Sequence, residues 1–202
     1  MDRGFCFYLP KFVLCLLIWF MCTSTYMWVR LQTEGDPTYY ASDNFQREGL
    51  LGATPAQIIA AVDDGFDEQI EFTRDLVRHP SLRGREHTAQ ELIHSALRAR
   101  GYAVERWAID VDEIRAHPGF SPVAVDYENA INVVATHRPP ETLGRSLILN
   151  GHIDVVPVGP MDMWSRSPFD PHLDGDWLYG RGAGDMKAGL AANIFALDAL
   201  KR

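Results

Sequence analysis

Cysteine is scarce in this chain and is confined to its first residues. The three cysteines, Cys6, Cys15 and Cys22, all precede residue 31. The rest of the chain therefore has no disulfide framework and no zinc site built from thiolates. It also lacks a Gly-x-Ser-x-Gly motif and a cysteine near a histidine, so a hydrolytic reaction would need water as its nucleophile.

Clusters of basic residues are also missing. The chain carries 27 acidic and 19 basic residues, and residues 1–30 hold one of these acids and three of these bases. The remaining residues, 31–202, therefore have 26 acids against 16 bases. This acidic balance argues against nucleic acid as a partner.

Charged residues are absent from residues 12–29, which are rich in leucine and aromatic side chains. The run is at the short end of the range for a membrane-spanning helix. Three interpretations of residues 1–30 stay open: a membrane anchor, a signal peptide, or an extension unrelated to the fold. An anchor would tie the chain to a membrane through residues 12–29. Otherwise we expect a cytoplasmic catalytic domain.

Residues 31–53 are polar and rich in turn-forming residues, and we interpret them as a linker. Residues 54–202 are predicted to form part of a catalytic domain. Its first helix begins at Thr54-Pro55, a cap followed by proline in the first turn, and ends before Pro80.

A second helix is predicted over about 86–100, and a last one over 185–201. Between them lie three predicted strands. The strand at 102–109 has Tyr102, Val104 and Trp107 on its packed face; those at 130–136 and 146–150 are continuously apolar, as strands covered on both faces are. This order predicts a layered α/β domain that is incomplete, because the last helix has no further strand to return to.

His152 and Asp154 directly follow the apolar run 146–150. In layered α/β sheets, ligands bind beyond the carboxyl ends of the strands. Side chains two positions apart in an extended chain point the same way, so a carboxylate at 154 can bond the second N–H of a metal-bound imidazole at 152. A local hydrogen-bonded pair at a strand end is the simpler interpretation, but the flanking Gly151 and Val155-Val156-Pro157 favour the metal.

Asp185 follows three glycines at alternate positions, Gly180, Gly182 and Gly184. Glycines let the backbone pass close to a bound ion, and a carboxylate at a helix start stays ionised and available as a ligand. A plain helix cap explains Asp185 as well. A phosphate loop does not, because the Gly-Lys-Ser/Thr ending is missing.

Neighbouring side chains are expected to support these motifs. We interpret Lys187 and Arg181 as ion-paired support, and we expect the Trp164…Pro168-Phe169 loop to pack over the edge of the site.

Together, GHIDVVP at 151–157, the Trp164…Pro168-Phe169 loop and LYGRGAGDMKAG at 178–189 resemble the zinc-dependent deacylase and exopeptidase family. That family contains acetylornithine deacetylase, succinyl-diaminopimelate desuccinylase, aminoacylase and glutamate carboxypeptidase. The resemblance covers about 55–202. It implies the layered αβα domain of a co-catalytic-zinc hydrolase, without the lid and dimerisation domain and without the C-terminal part.

The resemblance also implies roles for three residues. His152 is a metal ligand, Asp185 bridges two zinc ions next to a cis Asp185–Met186 peptide, and Asp154 is the catalytic residue that orients His152. Cobalt or manganese are alternative metals. The implied reaction is hydrolysis of an amide bond in a small N-acyl amino acid or peptide. A homodimer is implied only with the lid domain.

The family's general-base glutamate and its remaining metal ligands would lie beyond residue 202. We therefore expect the N-terminal portion of an active metal-dependent hydrolase, and expect residues 1–202 alone to bind zinc poorly and to be inactive. The alternative is a non-catalytic, membrane-tethered binding module that retains half of the fold. A reading frame that continues into a Glu-Glu pair and a late histidine favours the enzyme, and a stop after Arg202 favours the binding module.

Overall fold

The computed structural model describes residues 54–122, 127–140 and 146–201, together with the backbone of residues 6–8 and 28–30. Its first helix, α1, spans Pro55–Arg78. A capping box starts it: the Thr54 hydroxyl accepts from the Gln57 amide at 3.3 Å, and the Gln57 side chain accepts from the Thr54 amide at 2.7 Å. The helix ends before Pro80, because a residue that precedes proline avoids the helical region; His79 is extended, with φ −90° and ψ 104°.

The second helix, α2, spans His87–Ala99 and stops at Gly101, which has a φ of 78°. Strand β3, Ala103–Ala108, follows, and a short helix α3, Val111–Arg115, comes next. Strand β4 spans Ile131–Thr136. These elements confirm the two helices and the first two strands expected from the sequence, with their ends shifted by one residue or so.

The C-terminal part contains a hairpin and the last helix. Strands β5, His172–Asp174, and β6, Trp177–Tyr179, are joined by a turn at Gly175. The last helix, α4, spans Ala188–Lys201. It begins three residues later than predicted, because Asp185 and Met186 have non-helical backbone angles inside a π-helical turn at Ala183–Lys187.

Two small sheets are present in the described residues. In one, β3 runs antiparallel to β4, and β2, Trp28–Arg30, runs parallel to the other edge of β4. In the other, β6 lies between β5 and β1, Cys6–Tyr8, and is antiparallel to both. The mixture of helices and strands agrees with the predicted α/β class.

The main core lies where α1, α2, β4 and α4 meet. Its residues are aliphatic and aromatic, and all of them are buried. They are Leu76, Ala89, Ile93, Leu97, Tyr102, Val133, Ala135, Ile153, Leu190, Ala191, Ile194, Phe195 and Leu197. Ile153 belongs to this core, so the segment that carries His152 and Asp154 is fixed to it by burial of its middle residue.

Two expectations for the strands were wrong. Residues 146–150 pair with no strand in the described part of the chain, and Leu147 and Ile148 are 43% and 39% exposed. An apolar run becomes a strand only where a neighbouring strand offers its backbone groups. No described strand pairs with this run, which lies instead beside α4, where Asn193 donates to the Asn150 carbonyl at 3.4 Å. Trp107 is 47% exposed rather than packed, because the helix α2 covers the opposite face of β3.

The predicted N-terminal regions are largely outside the described residues. Residues 28 and 29 of the charge-free run belong to β2, whereas residues 12–27 and the predicted linker 31–53 are outside. None of the helices in the described ranges is sufficiently long and apolar to span a membrane. The division of the chain at residues 30 and 53 stays a prediction.

Candidate metal centre

The segment 151–155 is extended and is held along one side by the loop that follows α1. Ser81 donates its hydroxyl to the Ile153 carbonyl at 2.6 Å, and its own carbonyl accepts from the Val155 amide at 2.9 Å. Gly151, Ile153 and Val155 are buried, whereas His152 and Asp154 alternate with them and are half-buried. The alternation puts the imidazole and the carboxylate on the same side of the segment, as the sequence predicted.

The His152 ring is clamped by Asp154. Its Nδ1 lies 3.1 Å from Asp154 Oδ1 and 3.1 Å from the Asp154 carbonyl oxygen. A nitrogen between two acceptors carries the proton, which leaves Nε2 as the atom able to donate a lone pair to a metal when the ring is neutral. Arg83 holds Asp154 from the other side, with Nε 3.4 Å from Oδ2.

Asp185 meets the same imidazole from a distant part of the chain. His152 Nε2 lies 2.9 Å from Asp185 Oδ1. The Asp185 side chain is 89% exposed, so its carboxylate faces solvent on the side away from the ring. The Asp185–Met186 peptide is cis, as the resemblance implied. The structure thus brings together His152, Asp154 and Asp185.

The carboxylates shift the protonation of the ring. The hydrogen bond with Asp154 raises the pKa of His152 to about 9; the bond with Asp185 adds to this rise, and burial opposes it. In return, the bond from His152 lowers the pKa of Asp154, with help from Arg83 and against the effect of burial. Without a metal, the site at neutral pH is therefore an imidazolium held between two carboxylates.

Lys187, two residues after Asp185, is completely buried. Its Nζ donates to the carbonyls of Leu76 and His79, each at 2.8 Å, at the C-terminal end of α1. Burial lowers the pKa of Lys187 to about 7. The sequence predicted an ion pair for Lys187, and this was wrong, because its partners are backbone carbonyls. A lysine suits this place because the carbonyls at a helix C-terminus attract positive charge.

The loop beside the site packs as expected. Pro168 is buried, and its carbonyl accepts from the Arg181 amide at 2.7 Å. Trp164 donates its indole N–H to the Val158 carbonyl at 2.8 Å, and the Arg181 guanidinium lies over the Trp164 ring at 5.3 Å. Arg181 therefore connects the LYGRGAGDMKAG motif, to which it belongs, with the Trp164…Pro168-Phe169 loop through packing and backbone contacts.

The donor pair fits a divalent metal in part. Zinc binds imidazole nitrogen and carboxylate oxygen at about 2.0–2.2 Å, so Nε2 and Oδ1 could share one ion after a shift of a few tenths of an ångström. Among the described residues, no group of three or more His, Cys, Asp or Glu is arranged to hold a metal. The described part of the chain thus offers two facing donors and an orienting carboxylate rather than a full ligand set.

Sequence reasoning missed Ser81. The serine is completely buried and carries two of the bonds that fix segment 151–155, yet it lies 72 positions from Ile153. A serine after His79-Pro80 is an ordinary turn residue, and no spacing in the sequence connects it with the motifs. Only the fold brings it to them.

Comparison with known families supports the resemblance noted from the sequence. Residues 148–202, which contain all three site residues, match the sequence model of Peptidase family M20/M25/M40. The match confirms the resemblance noted from the GHIDVVP and LYGRGAGDMKAG motifs.

Curated relatives agree as well. The chain is 32% identical to a succinyl-diaminopimelate desuccinylase of Polaromonas sp., 35% identical to one of Methylobacillus flagellatus and 34% identical to one of Cupriavidus pinatubonensis, each over 64% of this chain. It covers 32%, 29% and 30% of those proteins, so it spans less than a third of the length of the curated relatives it matches.

A solved structure was also found, that of the di-peptidase Dug1p from Saccharomyces cerevisiae. It has a TM-score of 0.48 and 20% identity, over 72% of this chain and 31% of that chain.

Proposed function

Because residues 148–202 match the sequence model of Peptidase family M20/M25/M40, we propose that this chain is part of a metal-dependent hydrolase. The enzyme cleaves an amide bond of an N-acyl amino acid or small peptide, with water as the nucleophile. The desuccinylase relatives support an acylated amino acid as the substrate class.

The observation that carries the proposal is the placement of one imidazole between two carboxylates. His152 Nε2 faces Asp185 Oδ1 at 2.9 Å, while Nδ1 faces Asp154 Oδ1 at 3.1 Å. We assign His152 and Asp185 as metal ligands, and Asp154 as the residue that fixes the ring and keeps the proton on Nδ1. Zinc is the metal that best suits a mixed nitrogen and oxygen donor set in a hydrolase, with two ions in the complete site.

Each residue has a separate task in this scheme. Asp154 increases the electron density of the imidazole by accepting a hydrogen bond from its Nδ1–H, which strengthens Nε2 as a ligand for the metal. The Asp185 carboxylate has one oxygen toward His152 and lies 89% exposed, so it can contact a second ion or the substrate side of the site. When bound, the metal would supply Lewis acidity, which polarises the amide carbonyl and lowers the pKa of a metal-bound water to about 7.

The donors that the described residues bring together are too few for this chemistry. A catalytic zinc takes about three protein ligands and an open position. We therefore expect residues 1–202 alone to show no hydrolysis of N-acyl amino acids with added zinc or cobalt. Turnover by this piece would contradict the assigned ligand count.

The test compares site variants of the whole protein with matched controls. His152→Ala and Asp185→Asn are each expected to lower kcat/KM for N-succinyl and N-acetyl amino acids by more than about 100-fold and to release zinc. Asp154→Asn is expected to cost about 10- to 100-fold, because it acts through His152. The controls are His94→Ala, in α2, and Asp174→Asn, at the exposed end of strand β5.

The controls are expected to keep both the zinc content and the activity. Zinc content is measured by elemental analysis after dialysis, and activity by release of the free amine over a panel of acyl groups. Retention of zinc and activity by His152→Ala would end the proposal.

A further inference from the structure

The candidate metal centre has two halves, the segment that carries His152 and the segment that carries Asp185. Both are hydrogen-bonded to the same short loop. This loop, residues 79–83, connects α1 to the turn before α2, and we call it the α1 exit loop. It is held at Arg85 as well, whose amide donates to the Leu82 carbonyl at 2.8 Å.

The first contact is with the half that carries His152. Ser81 is completely buried, and its hydroxyl and carbonyl bond the Ile153 carbonyl and the Val155 amide, on either side of Asp154. Leu82 extends this pairing, since it forms a parallel bridge with Val155. Because Ile153 directly follows His152, these bonds set the position of the backbone from which the imidazole projects.

The second contact is with the half that carries Asp185. Lys187 Nζ donates to the Leu76 carbonyl in the last turn of α1 and to the carbonyl of His79, the first residue of the loop. Asp185 itself is 89% exposed, so packing of its own side chain does not hold it. Its place depends on the backbone that follows, where Met186 and Lys187 are 6% and 0% exposed.

We propose that the α1 exit loop is a shared anchor that sets the separation of His152 and Asp185, with Ser81 and Lys187 as positioning residues. Neither residue touches the donor atoms. Each instead fixes the backbone beside one donor, and the loop connects the two fixed points. This inference rests on the proposed metal site.

The test uses two variants of the anchor and one matched control in the whole protein. Ser81→Ala removes the hydroxyl that the loop donates to the Ile153 carbonyl. Lys187→Met removes the ammonium group that donates to the carbonyls of His79, in the loop, and of Leu76. Thr73→Val is the control, because Thr73 is also buried and donates its hydroxyl to a backbone carbonyl, that of Gln69 at 2.8 Å, but within α1 and away from the site. All three lose a buried polar contact, so a general effect on stability appears in each of them.

Two measurements separate positioning from stability. The first is zinc affinity by competition with a chromophoric chelator, at a temperature where circular dichroism shows every variant folded. The second is the ¹⁵N chemical shifts of the His152 imidazole without metal, at one fixed pH. We expect Ser81→Ala and Lys187→Met to weaken zinc binding about tenfold and to move the Nε2 signal, and Thr73→Val to change neither.

The sign of the effect at Lys187 is informative. Removal of a positive charge near Asp185 would by itself strengthen binding of a cation. Weaker binding by Lys187→Met therefore marks a loss of position rather than a change of charge. If both anchor variants matched Thr73→Val in zinc affinity and in the imidazole signals, the anchor would be refuted. Ser81→Ala, which removes one oxygen atom, decides the question if Lys187→Met does not fold.

A failure of the proposed function would look different. If the unmodified protein took up no zinc through His152 and Asp185, the metal assignment would fall, and the metal-free imidazole signals alone would judge the anchor. A moved Nε2 signal in Ser81→Ala would still support it, and an unmoved one would end it.

Discussion

Replacement of Gly182 by alanine is expected to damage both the fold and the candidate metal centre, whereas the same change at Gly101 is expected to affect the fold alone. Both glycines have nearly the same backbone conformation, with φ of 79° and 78°. Their surroundings differ. A Cβ at Gly182 would lie 2.4 Å from Val155 Cγ1, while a Cβ at Gly101 would meet nothing within 4 Å.

The magnitude follows from this difference. An L-residue in the left-handed region costs roughly 1–2 kcal/mol. Alanine returns about 0.4–1 kcal/mol by restricting the unfolded chain. Both variants share these two contributions. Overpacking adds about 1–3 kcal/mol at Gly182 only, because Val155 is 3% exposed and cannot move into solvent.

Val155 also couples this clash to the site. It follows Asp154 directly, and its amide is bonded to the Ser81 carbonyl at 2.9 Å. A shift of Val155 by a few tenths of an ångström would therefore displace the carboxylate that holds His152. We expect Gly182→Ala to weaken zinc binding as well as lower stability.

The assay is urea unfolding followed by circular dichroism, with zinc affinity measured on the folded variants. The free energy of unfolding of Gly182→Ala should lie below that of Gly101→Ala by about 1–3 kcal/mol. Equal losses in the two variants would show that the contact with Val155 is not tight. Normal zinc affinity in Gly182→Ala would show that it is not coupled to the site.

Two further predictions concern charge and capping. In the metal-free protein, His152 should titrate near its folded pKa of about 9 in histidine NMR spectra, and Asp154→Asn should move the midpoint down toward 6.5; an unmoved midpoint would exclude Asp154 as the cause. Because this folded pKa is raised, the stability that comes from protonation of His152 is lost as the pH rises from 6.5 through about 9. The lowered pKa of Asp154 means that the stability from the pair is also lost in acid, where this carboxylate is protonated. Thr54→Ala should lower the free energy of unfolding by about 1 kcal/mol in urea titrations, because it removes half of the capping box of α1, and the exposed Thr88→Ala in α2 should not.

The parts of the fold that sequence predicts correctly are those with local causes. Each end of helix α1 is set by residues next to it in the chain, the Thr54 cap at its start and Pro80 just after its end. Helix α2 likewise ends at Gly101, where a positive φ is needed. Such signals act on neighbouring residues and need no knowledge of the rest of the molecule.

The errors arose where a long-range partner decides the structure. The run 146–150 has the composition of a buried strand, but no strand in the described residues lies beside it. The interpretation of Lys187 failed for the same reason, since its two acceptors lie 108 and 111 positions away.

The contacts of the candidate metal centre are likewise of two kinds, one local in the chain and one long-range. The motif at 151–157 contains the His152–Asp154 contact, because a separation of two residues in an extended segment fixes it. The contact between His152 and Asp185 spans 33 positions, and only the resemblance to a family indicated it. His152 Nε2 and Asp185 Oδ1 lie 2.9 Å apart in a region where the two motifs pack on each other. The Gly182 backbone lies against Val155, and the α1 exit loop is hydrogen-bonded to both motifs. A sequence can therefore carry both motifs intact and still lose the site if Ser81 changes, and for that reason Ser81→Ala tests more of the function than a search for the motifs can.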